Sequence, residues 1–92
     1  MNNDPASRPT QLSATANVAA RPAALFGIFC SSSTSGTATV YDSATTGTSK
    51  KIVDTFNLVA GTWYELPFVA DAGIYLVLGG TASVTVGWQP NQ

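Results

Sequence analysis

The 92-residue sequence predicts an all-β fold: an antiparallel β-sandwich, jelly-roll-like or immunoglobulin-like, of six to seven short strands behind an extended N-terminal arm. Runs rich in β-branched and aromatic residues recur at intervals of about ten residues. The segments between them are made of Gly, Ser, Thr and Asp, as in SSSTSG at 31–36 and DSATTGTS at 42–49. No stretch holds apolar residues at helical spacing over three turns. The domain reading is an arm over 1–10 and one sandwich over 11–92.

Residues 1–10, MNNDPASRPT, carry two prolines and no apolar period, which predicts an extended arm. Leu12, Ala14, Ala16 and Val18 alternate with polar or small residues, a weak strand pattern over 11–20. Ala23 to Cys30 is apolar on both faces, with Leu25, Phe26, Ile28 and Phe29, and predicts a strand covered on both sides. Residues 31–36 then form a loop. Thr37 to Tyr41 gives a strand with Ala38 and Val40 on one face. After the loop at 42–49 comes a strand over 52–59, with Ile52, Phe56 and Leu58 sharing a face with Asp54. Ala60-Gly61 makes a turn. The last three strands are 62–68, closed by Pro67, then 74–78, and 82–88 with Val84, Val86 and Trp88 inward. Gly61, Gly73 and the pair Gly79-Gly80 fall between strands, where positive φ is needed.

The charge inventory narrows the function classes. Lys and Arg number 4, Asp and Glu 5, His is missing, and the charged fraction is 10%, against about 25% in an average protein. A small monomer keeps itself soluble with denser surface charge, so the composition points to a chain that assembles. Lys50-Lys51 is the only basic pair, too little to displace counterions from phosphates, so no nucleic-acid partner is expected. Two lysines beside a strand read instead as a guarded edge. No apolar run reaches the roughly 18–20 residues of a membrane span. The N-terminus has neither the basic head nor the apolar core of a secretory signal. Cys30, in the run LFGIFC, reads as a buried, inert thiol.

Catalysis is not expected. Without histidine there is no Ser-His-Asp or Cys-His arrangement, and one sulfur with no imidazole leaves no zinc site. Asp42 and Asp71 sit at strand ends, where an Asx-turn accounts for them. Asp54 and Glu65 lie within strands, able to face water or pair with Lys50, Lys51 or Arg21. Calcium would need a denser Asp/Asn pattern than the loop at Asp42 offers. No cofactor and no metal are expected.

Aromatics remain. In GTWYEL, Trp63 and Tyr64 point to opposite faces of one strand, so both cannot enter one core. A subunit interface accounts for the surplus, and its candidate residues are Trp63, Tyr64, Phe29, Tyr75, Arg8 and Arg21. The competing use of such aromatics is stacking on sugar rings.

The TATVYD strand and turn, the aromatic strand AGTWYELPF and the segment GIYLVLGGTASVTVGW, read as a C-terminal hairpin, resemble the small all-β head decoration, or cement, proteins of tailed bacteriophages. The resemblance runs from Gly36 to Trp88 and lies in scaffold positions, without a chemical signature. It implies a homotrimer on the outer surface of a virion capsid, clamping major capsid protein subunits and stabilising the shell, and made in the host cytoplasm. Similar hairpins occur in phage tail and fibre modules, which keeps a receptor- or glycan-binding module as the alternative. On either reading the chain is not an enzyme.

Overall fold

The computed structural model describes residues 8–90, and over that span the protein is all-β and antiparallel. Its strands are β1 (Arg8–Leu12), β2 (Ala16–Ala19), β3 (Ala23–Asp42), β4 (Lys51–Asn57), β5 (Thr62–Ala70) and β6 (Ile74–Pro90). Two of them are not short. The predicted loop 31–36 lies inside the 20-residue β3, and the predicted C-terminal hairpin is a single 17-residue strand, β6.

Such long strands have to bend. Twenty residues of extended chain reach roughly 66 Å, yet the molecule's longest dimension is 39 Å. β3 and β6 run antiparallel along their whole lengths, and three register shifts interrupt the pairing, at Leu25/Gly27, Cys30/Ser32 and Thr34/Thr37. Each inserts one extra residue into β3, which accounts for the difference between 20 and 17 residues. Bulges of this kind bend a strand and strengthen its twist. At the corner, Ser35 (φ 54°) and Gly80 (φ 66°) both take left-handed backbone. Gly80 therefore turns a corner within β6 rather than reversing the chain between two strands.

The bend divides β3 and β6 into halves, and each half gains its own edge strand. One four-stranded layer is β1, the C-terminal half of β6, the N-terminal half of β3, and β5. The other is β2, the N-terminal half of β6, the C-terminal half of β3, and β4. Counted as eight segments in chain order, the layers read 1-8-3-6 and 2-7-4-5, the double Greek key of a jelly roll. The topology thus selects the jelly-roll alternative over the immunoglobulin-like one.

Between the layers lies one core. Leu25, Ile28, Cys30, Val84 and Val86 come from the first layer; Ala38, Val40, Ile74 and Leu76 come from the second. Alanines 19, 23 and 70 close the end where the chain crosses between layers, and Leu58 and Ala82 are buried with them. Trp88 packs against this core as its alternation with Val84 and Val86 predicts, and its Nε1 donates to Thr10 Oγ1 at 2.9 Å. Cys30 is buried, as its apolar run predicts.

Three further expectations change. Arg8, Pro9 and Thr10, read as arm, pair with Trp88, Gly87 and Val86, so β1 begins three residues before Gln11. Pro9 is tolerated because β1 is an edge strand with one neighbour. The rest of the expected arm, 1–7, lies outside the described residues. Ala23–Cys30 is not covered on both sides: the bulge at Phe26 shifts the alternation, and Phe29 emerges on the outer face, 39% exposed. In β4 the register slips between Val53 and Phe56, which removes Asp54 from the face of Phe56 and leaves it exposed.

Candidate interaction surface

The outer face of the first layer gathers the side chains that the core does not use. Inward neighbours fix which residues these are: Ile28 pairs with Tyr64 and Cys30 with Thr62, so Phe29 and its register partner Trp63 point outward. Trp63 is 49% exposed and Phe29 39%. Trp63 lies across Gly27. A Cβ at position 27 would meet Trp63 Cζ2, with Trp63 Cη2 at 2.7 Å and the Tyr64 carbonyl oxygen at 2.5 Å. Glycine here is thus the floor on which the indole rests, and the close approach explains the residue at that position.

The surface continues with Val69, 59% exposed and paired with Ala24. On the other side of β3 it continues with Thr85, Gly87 and Gln89 of β6, the partners of Phe29, Gly27 and Ala24. Beyond them lie Gln11 and Pro9 of β1. Among these outward positions Glu65 is the sole charge. An apolar, nearly uncharged sheet face with a central Trp is what the core of a protein interface looks like, since interfaces enrich aromatics and deplete charge.

The six sequence candidates separate. Trp63 and Phe29 come together on this face. Tyr64 points the other way and is used locally: its ring packs on Phe56 at 5.1 Å, and its hydroxyl accepts from Val59 N–H at 2.8 Å and donates to the Asn57 carbonyl at 3.3 Å. Tyr75 belongs to the second layer, half-buried against Tyr41 with ring centroids 6.1 Å apart. Arg21 is exposed in the crossing from β2 to β3, and Arg8 opens β1 opposite Trp88. Val69 and Gly27 belong to the surface and escaped sequence reading, because their place depends on the Phe26 bulge. The indirect signal was the alternation of apolar residues broken at Phe26-Gly27.

The carboxylates do other things. Asp42 does not make a local Asx-turn. Its Oδ1 accepts from Ala72 N–H at 2.7 Å and Gly73 N–H at 3.3 Å, and its Oδ2 from Asp71 N–H at 3.1 Å, so it staples the end of β3 to the crossing from β5 to β6. Lys50 Nζ lies 3.5 Å away, and only 7% of the Asp42 side chain is exposed. Burial opposes the charge, but the three backbone donors and Lys50 outweigh it and hold the carboxyl below its ordinary range. Asp54 pairs with Lys51 at 3.0 Å in full solvent, and that contact with the Thr55 N–H lowers its pKa also; an exposed pair of this kind contributes little stability. Among the described residues no three Asp, Glu, Cys or His side chains gather as metal ligands.

No model of a known protein family matches the chain, and comparison with curated proteins and with solved structures gives no match either.

Proposed function

We propose that this chain is a structural, non-enzymatic assembly protein that binds the outside of a phage capsid as a trimer and stabilises the shell. The observation that carries the assembly part is the outer face of the first layer, where Trp63, Phe29 and Val69 stand exposed and Glu65 is the one outward charge among the described side chains. Leaving those side chains in water forgoes about 25 cal/mol for each Å² of apolar surface that a partner would cover. A standard interface takes roughly 800 Å² per partner, about a sixth of the 5076 Å² the chain exposes. The capsid part rests on the resemblance of Gly36–Trp88 to phage decoration proteins.

Glycan recognition has Trp63 in its favour, as a flat exposed ring. Of the polar side chains on the groove beside that ring, the Tyr64 hydroxyl is already engaged by Val59 and Asn57, which leaves Glu65 and Asn57 for the several hydroxyls of a sugar. Asp42, the carboxylate nearest in sequence to the Tyr41–Tyr75 pair, is turned inward onto backbone donors. Assembly is therefore the better-supported reading.

Co-sedimentation of the purified protein with capsid shells lacking it tests this reading: saturable binding at a fixed stoichiometry is expected, and no binding contradicts it. The N-terminal segment refines the test. Because β1 begins at Arg8 and Thr10 accepts the Trp88 hydrogen bond, the truncation that spares the fold removes 1–7 and not 1–10. We expect that variant to keep its melting temperature and oligomeric mass, since β1 and the Trp88 hydrogen bond are retained, while losing shell affinity through the backbone hydrogen bonds that an added segment contributes to a partner. Unchanged affinity would remove the segment from the interface.

A further inference from the structure

A groove of about 500 Å³ opens between β4 and β5, lined by Val53, Phe56, Trp63, Tyr64, Glu65 and Leu66 with Asn57 at one end. Four of these are consecutive in β5. Successive residues of a strand point to opposite faces, so a groove lined by all four runs along the strand's edge rather than over either face. Among the described residues that edge is open: β5 pairs with β3 alone, and β4 likewise has β3 as its one neighbour. Unpaired edges carry a row of free N–H and C=O groups at every second residue, a template for another strand.

We propose that the edge of β5 from Thr62 to Leu66 receives an extended peptide segment of a partner protein as an added strand, with a basic side chain beside Glu65 and an apolar one in the groove. Charge selects the occupant. Glu65 is the only ionisable carboxylate on the groove, and among the described residues no cation lies within ion-pair distance of it. Apolar complementarity comes from Val53, Phe56 and Leu66, whose partly buried side chains form the inner wall. The Tyr64 hydroxyl is already engaged by Val59 and Asn57, which leaves the backbone edge as the main source of hydrogen bonds. Pro67, without an N–H, ends the usable edge after Leu66.

Neither segment of this chain fits as well. Residues 1–7, MNNDPAS, carry Asp4 and no basic side chain. A second copy pairing edge to edge about a two-fold axis sets two Glu65 carboxylates on one face as diagonal neighbours, unneutralised. The groove shares Trp63 and Glu65 with the outer sheet face, but the proposal does not rest on the capsid reading, since what it assigns is the backbone edge of β5.

The test is a chemical-shift titration of the ¹⁵N-labelled full chain with a capped octapeptide of alternating Val and Thr bearing one central Lys. Expected are shifts concentrated at 62–66 and 53–57 as peptide approaches about 1 mM, where a millimolar complex is half formed. The same peptide with Glu for Lys is expected to bind about fivefold weaker, the effect of one exposed charge pair, and Glu65→Gln to erase that difference. N-methylation of alternate peptide amides is expected to abolish binding. No localised shift at that concentration, or binding indifferent to N-methylation, overturns the proposal. Broadening at Phe56 and Leu66 that grows with protein concentration alone overturns it in favour of a second copy.

Discussion

Gly80→Ala is expected to destabilise the protein by about 4 kcal/mol, a large part of the roughly 5–15 kcal/mol that holds a domain folded. Gly80 sits where β6 turns the corner between layers, at φ 66°, a conformation that costs an L-residue about 1 kcal/mol. The larger cost is steric. An alanine Cβ would meet the Ser35 carbonyl oxygen, with Ser35 C at 2.7 Å and Gly36 Cα at 3.2 Å, all of them backbone atoms of the facing strand that no rotamer change relieves. Opening the corner to make room would separate two layers that share one core. At about 4–8 °C per kcal/mol for a domain of this size, thermal unfolding should fall by roughly 16–32 °C. Ser35→Gly, the matching change across the corner, should instead be neutral or stabilising by up to about 1 kcal/mol, because Ser35 already holds positive φ (54°). If Gly80→Ala melts within a few degrees of the wild type, the corner is not the constraint described here.

Asp42→Ala should cost about 3 kcal/mol, and Asp42→Asn somewhat less. The alanine leaves three backbone N–H groups, of Asp71, Ala72 and Gly73, without their acceptor, and hydrogen bonds to a charged group contribute about 1.5–3 kcal/mol apiece before the exposed ones find water. Asparagine keeps an acceptor for Ala72 and Gly73 but offers an NH₂ group where Oδ2 accepts from Asp71. The pH dependence has a definite sign. A carboxyl whose folded-state pKa is lowered stabilises the fold above its unfolded pKa, near 3.8, and that stability is lost as pH falls toward the folded value. In urea titrations from pH 7 to pH 2, the gap between wild type and Asp42→Asn should therefore be constant above about pH 5 and close below 3.8. A gap that stays constant through that window would show that the charge is not what the crossing needs.

Much of the fold was legible because it rests on local patterns. Alternation placed Ala38 and Val40, and Val84, Val86 and Trp88, on inward faces, and the split of Trp63 from Tyr64 followed from period two alone. What was illegible depends on pairing. SSSTSG reads as a loop because small polar residues carry no burial signal, yet β6 continues to pair across it, and the bulges that make the corner are defined only against a partner strand. The same holds for Arg8–Thr10, whose two-proline neighbourhood hides an edge strand completed by Trp88 about 80 residues on. Asp42 reads as a turn former until residues 71–73 arrive beside it. The aromatic surplus itself was plain in the sequence. Its grouping was not, since Phe29 reaches the outer face only through the Phe26 bulge, and Trp63 lies flat only because Gly27 leaves room.

Assembly through the outer face of the first layer is the central claim, and solution mass by light scattering over a dilution series, for wild type beside Phe29→Ser/Trp63→Ser, tests it most directly. The wild type is expected to be a trimer that resists dilution, and the double variant a folded monomer, since its changed side chains lie outside the core. A wild-type monomer at every concentration, or a trimer indifferent to the two substitutions, would contradict it.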